Sequence, residues 1–165
     1  MSTQSASSGV RSRVIKIVTV TILYGGGLKA SELVEFGKYD EDNWANPRFP
    51  DHLFPLKSRI RRKVQTIKLV ECDYEPTDEE VLEELSYHNL EHPFYEDALV
   101  FGVMYPDEQR ERRIVFLHHP VMVFEDGYYS YRVLVLDGDA SKRGIYLSWL
   151  IGRWSRRCVF AGVCE

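Results

Sequence analysis

Asp126-Gly127 joins two stretches of alternating apolar residues, Val121 to Phe124 and Tyr128 to Leu136, and no other feature of the chain restricts its fold so sharply. A two-residue hairpin loop needs left-handed backbone angles at both positions so that its twist matches that of the strands, and Asp-Gly accepts them readily. Ile114 to Leu117, Ile145 to Leu150 and Cys158 to Val163 repeat the strand pattern around this hairpin, and Asp137-Gly138 opens a second, longer turn. Sequential hairpins predict an antiparallel β-meander through the C-terminal third.

Upstream the periodicity changes. Val14 to Tyr24 is rich in β-branched residues at both alternating positions, which predicts a central strand covered on both faces. Gly25 to Gly27 break it, a short helix is expected over Leu28 to Phe36 with Gly37 at its end, and Ile60 to Cys72 reads as a further strand. Lys38 to Ser58 holds three prolines and no period, so it is expected to be irregular and pinned by Trp44, Phe49 and Phe54. Thr77 and Glu80 form a capping box that starts a helix carrying Val81, Leu82, Leu85 and His88 on one stripe, expected to run to Pro93. Phe94 to Tyr105 suits a buried strand or a helix; Phe94, Ala98, Phe101 and Tyr105 keep helical spacing, so a helix is expected with Gly102 in its middle.

The 165 residues are 44% apolar and 28% charged, enough to bury a core without a disulfide or metal. A single α+β domain is expected over 13–165, an antiparallel sheet packed against two or three helices, behind a polar, Ser-rich tail at 1–12. No apolar stretch approaches the roughly 20 residues that span a bilayer, so no membrane partner is expected. Cys72, Cys158 and Cys164 are odd in number and lack a CxxC spacing, which points to reduced thiols and a cytoplasmic setting. The net charge of −4 is unevenly spread: Lys57 to Lys68 has six bases and no acid, Leu69 to Gln109 thirteen acids and no base, Lys142 to Arg157 five bases and no acid. Such blocks either attract each other or mark two partner surfaces.

Several motifs invite a chemical reading. His88-Asn-Leu-Glu-His92 spells the H-x-x-E-H pattern in which two helical histidines hold zinc, which makes His88 and His92 candidate metal ligands. Pro93 follows at once and no third ligand accompanies them, so capping and packing are the expected roles and no cofactor is assigned. Gly25-x-Gly27-x-x-Ala30 has the strand-to-helix context of a dinucleotide turn, yet the acid-bearing second strand that such a site needs is replaced by the proline-rich segment. Asp137, Asp139 and Ser141 have the alternate spacing of a calcium loop, but Lys142 and Ser148 stand where glycine and the bidentate glutamate are required. His118 and His119 are candidate acid/base residues beside Glu125 or Asp137, without an accompanying nucleophile motif.

The meander interleaves Tyr128, Tyr129, Tyr131, Tyr146, Trp149 and Trp154 with arginines. Tyr129, Tyr131, Arg132, Arg143, Trp154 and Arg156 are therefore the candidate binding surface, suited to a protein partner or, through stacked bases and held phosphates, to single-stranded nucleic acid. The acidic net charge disfavours nucleic acid.

Glu32-Leu-Val-x-x-Gly37-Lys-Tyr-Asp40 with Asn43, Phe49-Pro50, Tyr105-Pro-x-x-Gln109-Arg110 leading to Ile114-Val-x-Leu117, and Leu147-x-Trp149 with Trp154 and Cys158-Val-Phe-Ala-x-Val163 span most of the chain. In these residues it resembles an uncharacterised family of small bacterial proteins with no assigned activity. The resemblance implies a compact α+β fold and carries over no catalytic residue. The residues rank a non-enzymatic binding domain first, a small hydrolase using His118 and His119 or a metal at His88 and His92 second, and a single-strand nucleic-acid binder third.

Overall fold

The computed structural model describes residues 10–22, 28–40, 50–56, 63–150 and 152–164. The glycine turn at 25–27, Asn43, Trp44, Phe49, the basic stretch 57–62 and the tail at 1–9 lie outside the described residues. The elements are β1 (Ser12–Ile22), α1 (Ala30–Phe36), a 3-10 turn (Asp51–Leu53), β2 (Lys63–Cys72), α2 (Asp78–Tyr87), α3 (Tyr95–Met104), α4 (Glu108–Glu111), β3 (Arg113–Val115), β4 (Val121–Glu125), β5 (Tyr128–Gly138), β6 (Arg143–Trp149) and β7 (Cys158–Val163). The fold is α+β, with one sheet ordered β1-β2-β7-β3-β5-β4 and with β6 also paired to β5.

β4, β5 and β6 make the expected meander, with Asp126 and Gly127 at φ 52° and 81° as the two-residue turn requires. β7 leaves the series. It inserts between β2, antiparallel, and β3, parallel. Every residue of β7 is buried, which matches its unbroken apolar run: it is covered on both faces. Side chains alternate between two cores. Leu134 and Leu136 of β5 join Ile67, Leu69, Phe101 and Val34 on the face covered by α1 and α3. Val133 and Val135 join Val70, Phe160 and Leu85 on the face covered by α2.

The expectation of a central, doubly covered β1 is overturned, because β1 pairs with β2 alone among the described strands. Its β-branched residues serve two faces for a different reason. A bulge between Val14 and Lys16 shifts the register, so Val14 packs in the α2-side core while Val18 and Val20 are buried in the other, and Ile17 stays exposed.

α2 begins as expected, with Thr77 Oγ1 accepting the Glu80 N–H at 3.2 Å and Glu80 Oε1 accepting the Thr77 N–H at 3.2 Å. It ends at Tyr87 rather than at Pro93. Asn89 turns left-handed at φ 57°, Leu90 N–H donates to Leu85 O at 2.9 Å and Asn89 N–H to Ser86 O at 3.0 Å, the paired bonds of a Schellman stop. The contact between Leu90 and Leu85 seals it over Gly162, where a Cβ would lie 2.8 Å from Leu90 Cβ. The helix expected over 94–105 is present as Tyr95–Met104, with Phe94 and Tyr105 as its caps. Gly102 is required there by the Tyr39 ring, whose hydroxyl would sit 1.8 Å from an added Cβ.

Arg143, at the start of β6, is only 5% exposed and gathers the helix ends. Pro106 has no N–H to offer the Gly102 carbonyl four residues back, so the last turn of α3 leaves that oxygen open. Arg143 Nη2 donates to it at 2.8 Å, Nη1 donates to Gly37 O beyond α1 at 2.7 Å, and Nε donates to Pro106 O at 2.7 Å. The guanidinium also lies over the Tyr39 ring, 4.9 Å from its centroid, and donates to Gln109 Oε1 at 3.2 Å. Arg143→Met is expected to cost about 3 kcal/mol or more by stranding these carbonyls, with only partial recovery in Arg143→Lys because an ammonium lacks the planar fork. Urea unfolding midpoints of the three proteins check this.

Candidate functional site

The site is built on a break in one strand. β3 and β4 both run antiparallel to β5, but five residues, 116–120, stand opposite only Val133 and Leu134. The excess bulges out, and His118 repairs the ladder: its Nε2 accepts the Leu134 N–H at 2.9 Å, while Phe116 N–H donates to Leu134 O at 3.1 Å. His118 Nδ1 lies 2.7 Å from the His119 carbonyl, which can only accept, so Nδ1 carries the proton and Nε2 keeps its lone pair. The ring is 3% exposed, edge-on to Phe54 and Tyr95. Burial, opposed by the bond to His119 O, lowers its pKa from 6.5 to about 4. Both nitrogens are thus engaged in holding backbone.

Beyond the bulge, β4 and the first residues of β5 form a two-stranded arm whose cross-strand register pairs Met122 with Tyr131 and Phe124 with Tyr129 on one face. The Phe124 and Tyr129 rings pack 4.7 Å apart, yet Tyr129 remains 70% exposed. The opposite face carries Tyr128, 77% exposed, with Glu125 and Arg132. β6 ends at Trp149, opposite Arg132, and the outer edge of β5 is open past Leu150, whose N–H donates to Tyr131 O at 3.3 Å. There a notch of about 660 Å³ opens, bordered by Pro120, Glu125, Asp126, residues 128–132, Trp149 and Leu150. Arg132 sits at its back: Nη2 donates to Glu125 Oε2 at 2.7 Å, Nε donates to Ser130 Oγ at 3.0 Å, and Cζ stands 5.2 Å from the Trp149 ring centroid.

Of the six residues of the candidate binding surface, Tyr129, Tyr131 and Arg132 converge here. Two are interior. Arg143 serves the helix ends described above, and Trp154, 8% exposed, packs on Phe160 while its Nε1–H donates to Asp78 Oδ1 at 2.6 Å. Arg156 lies elsewhere, beside Arg11, Ser12 and Glu71. Alternation along the meander predicts faces but not depth, and the crossover of β7 pulls the preceding loop, with Trp154, into the α2-side core.

The histidines are redistributed. His88 caps the end of α2 and His92 follows the Schellman stop, so the two do not share a helical face. His88 Nε2 lies 2.9 Å from Ser12 Oγ, which donates to Glu84 Oε2 at 2.6 Å; Tyr74 Oη donates to the other oxygen of Glu84 at 3.0 Å. Ser12 is thus bonded to a carboxylate and an imidazole, but both bonds tie β1 to α2 and its proton already belongs to Glu84. His92 instead meets exposed His119, ring centroids 4.7 Å apart, and burial together with His119 lowers its pKa. Among the described residues, no three His, Cys, Asp or Glu side chains gather in a way that could hold a metal ion. Asp139 Oδ1 accepts the Ser141 and Lys142 N–H groups, an ordinary turn cap.

Met122 and Phe124 were not singled out as site residues from sequence, Asp126 was read only as a turn residue and Glu125 only as a partner for the histidines, although aromatic residues on both alternating positions at Phe124, Tyr128, Tyr129 and Tyr131 were the available signal. The Ser12, Glu84 and Tyr74 group has no such signal, since Ser12 and Glu84 are 72 residues apart. No protein-family model matches the chain, no curated protein is similar to it, and no solved structure matches its fold.

A histidine with a pKa lowered on folding favours the native state fully above its unfolded value near 6.5 and loses that contribution as pH falls through about 4. His118→Gln keeps an acceptor for Leu134 and a donor for His119 but does not titrate. The stability difference between wild type and His118→Gln is therefore expected to shift by up to roughly 3 kcal/mol against the wild type between pH 6.5 and 4, read from urea unfolding at each pH.

Proposed function

We propose that this protein is a non-enzymatic interaction domain of a bacterial cytoplasm, and that its docking element is the β4–β5 arm, which receives a segment of another polypeptide bearing apolar and basic side chains. One observation carries the reading: Met122, Phe124, Tyr129 and Tyr131 are exposed side by side on one face of the arm, while exposed Tyr128 on its other face and Trp149 at the end of β6 border the notch. Contiguous apolar surface of this kind is rare on a monomer unless something binds it. Tyrosine and tryptophan are the side chains that interfaces favour, because a large rigid ring loses little entropy on docking.

Charge selects the kind of partner. Glu125 and Asp126 sit at the arm's tip, and the guanidinium of Arg132 is committed to Glu125. A nucleic acid needs uncommitted bases to replace its phosphate counterions, and the arm offers none, so a partner with basic side chains suits it better. The engagement of both His118 nitrogens, and of the Ser12 hydroxyl with Glu84, supports a binding role over hydrolysis. The free cysteines and the resemblance to small bacterial proteins support the cytoplasmic, bacterial setting.

Selection of a random peptide library displayed on phage against the immobilised full chain tests the proposal. Recovered peptides are expected to bind with micromolar affinity and to lose at least about tenfold on Met122→Ser with Tyr131→Ser, an exposed cross-strand pair outside both cores whose removal keeps the Phe124–Tyr129 contact that holds the arm. Peptides that bind the double variant as well as the wild type, or a selection that enriches nothing, overturn it.

A further inference from the structure

The notch beside the arm combines three features that seldom meet in a purely apolar pocket. Tyr128 and Trp149 border it, its rim carries Glu125 and Asp126, and a guanidinium already rests inside it. An aromatic face is electron-rich and attracts a cation set over it, and the attraction grows as the site excludes water. Arg132 demonstrates the preference within the molecule itself: its guanidinium stands 5.2 Å from the Trp149 centroid and is held to Glu125 at 2.7 Å. That ion pair leaves the second carboxylate, Asp126, at the exposed turn with no ion-pair partner among the described residues. Two acids against one base leave the notch one positive charge short.

We infer that the notch is a cation site and that the group it takes is the basic side chain of the docked polypeptide, an alkylammonium or guanidinium lying over Tyr128 and beside Asp126. The inference rests on the docking reading above and narrows it, since apolar contacts along Phe124, Tyr129 and Met122 then supply area while the notch supplies selection. Its volume of about 660 Å³ falls within the usual range of sites for small groups, far more than one side chain needs, so backbone flanking the basic residue enters with it.

Nα-acetyl-arginine amide and its neutral counterpart Nα-acetyl-citrulline amide differ in charge with almost the same shape, and titrating each into the isotopically labelled full chain followed by NMR separates charge from fit. The arginine derivative is expected to shift the Trp149 indole and the amides of residues 126–132 saturably, with an affinity about fivefold or more above that of citrulline. Asp126→Asn, which suits the left-handed turn as well as aspartate does, is expected to remove most of that difference. Tyr128→Leu is expected to weaken the arginine derivative more than citrulline. Equal binding of the two probes, or an arginine preference unchanged in Asp126→Asn, overturns the cation site while peptide binding to the arm still stands. Absence of any saturable shift at tens of millimolar probe overturns it as well, and the phage selection then decides separately whether the arm docks a polypeptide.

Discussion

A buried guanidinium whose own nitrogens bond to no carboxylate among the described residues organises this molecule. The nitrogens of Arg143 donate mainly to main-chain oxygens, those of Gly37, Gly102 and Pro106, at the places where α1 and α3 run out of partners for their last carbonyls. The negative ends of two helix dipoles replace the water a charge would otherwise keep, and the charge satisfies oxygens that would otherwise be stranded. Asp40 accepts the Arg143 backbone N–H and donates its own N–H to Arg143 O at 3.1 Å, so the chain after α1 is tied to the first residue of β6. Gln109, wholly buried on α4, carries the same network to Asp137 O and Gly144 O at 2.8 and 2.9 Å. Helices and the β5–β6 hairpin therefore meet at one side chain.

That rigid end contrasts with the other end of the same hairpin. Once the bulge at 116–120 has displaced the chain and β6 has stopped, β4 and the start of β5 have only each other to pair with. Two strands alone are barely stable in water, so the arm depends on its own side chains: the Phe124–Tyr129 contact, the Glu125–Arg132 bond and the stacking of Arg132 on Trp149. The residues that hold the arm in shape are the ones that face outward. His118 is what makes this possible, because its imidazole closes the ladder at Leu134 and keeps the bulge from unravelling into the core. A position that suggests catalysis when read alone is thus a structural hinge pin.

Much of the local structure was legible. The capping box at Thr77 and Glu80, the Asp126-Gly127 turn and the helical spacing of 94–105 are each written in a few adjacent residues, and each is present. The misreadings share a cause. β1 looked central because its apolar residues occupy both alternating positions, but a one-residue bulge lets an edge strand serve two cores in succession. His88 and His92 looked like one helical face because Asn89 gives little warning that it will turn left-handed. Gly37 ends α1 where expected, but its φ is −67° and Lys38 makes the left-handed turn; glycine is needed because the Tyr39 ring lies where a side chain would be.

Sequence by itself determined the kinds of element, the position of the tight hairpin and the class of fold, because each follows from interactions among residues near one another in the chain. It also placed aromatic residues on both positions of the β4–β5 arm. Only tertiary structure decided which of them stay in water. Trp154 and Arg143 share the composition of Trp149 and Arg132, and the first pair is interior while the second borders a notch, because burial depends on what the rest of the chain lays across each face. The crossing of β7 to the middle of the sheet and the early stop of β6 settle that, and both arise from contacts between residues far apart in sequence, where no periodicity reaches.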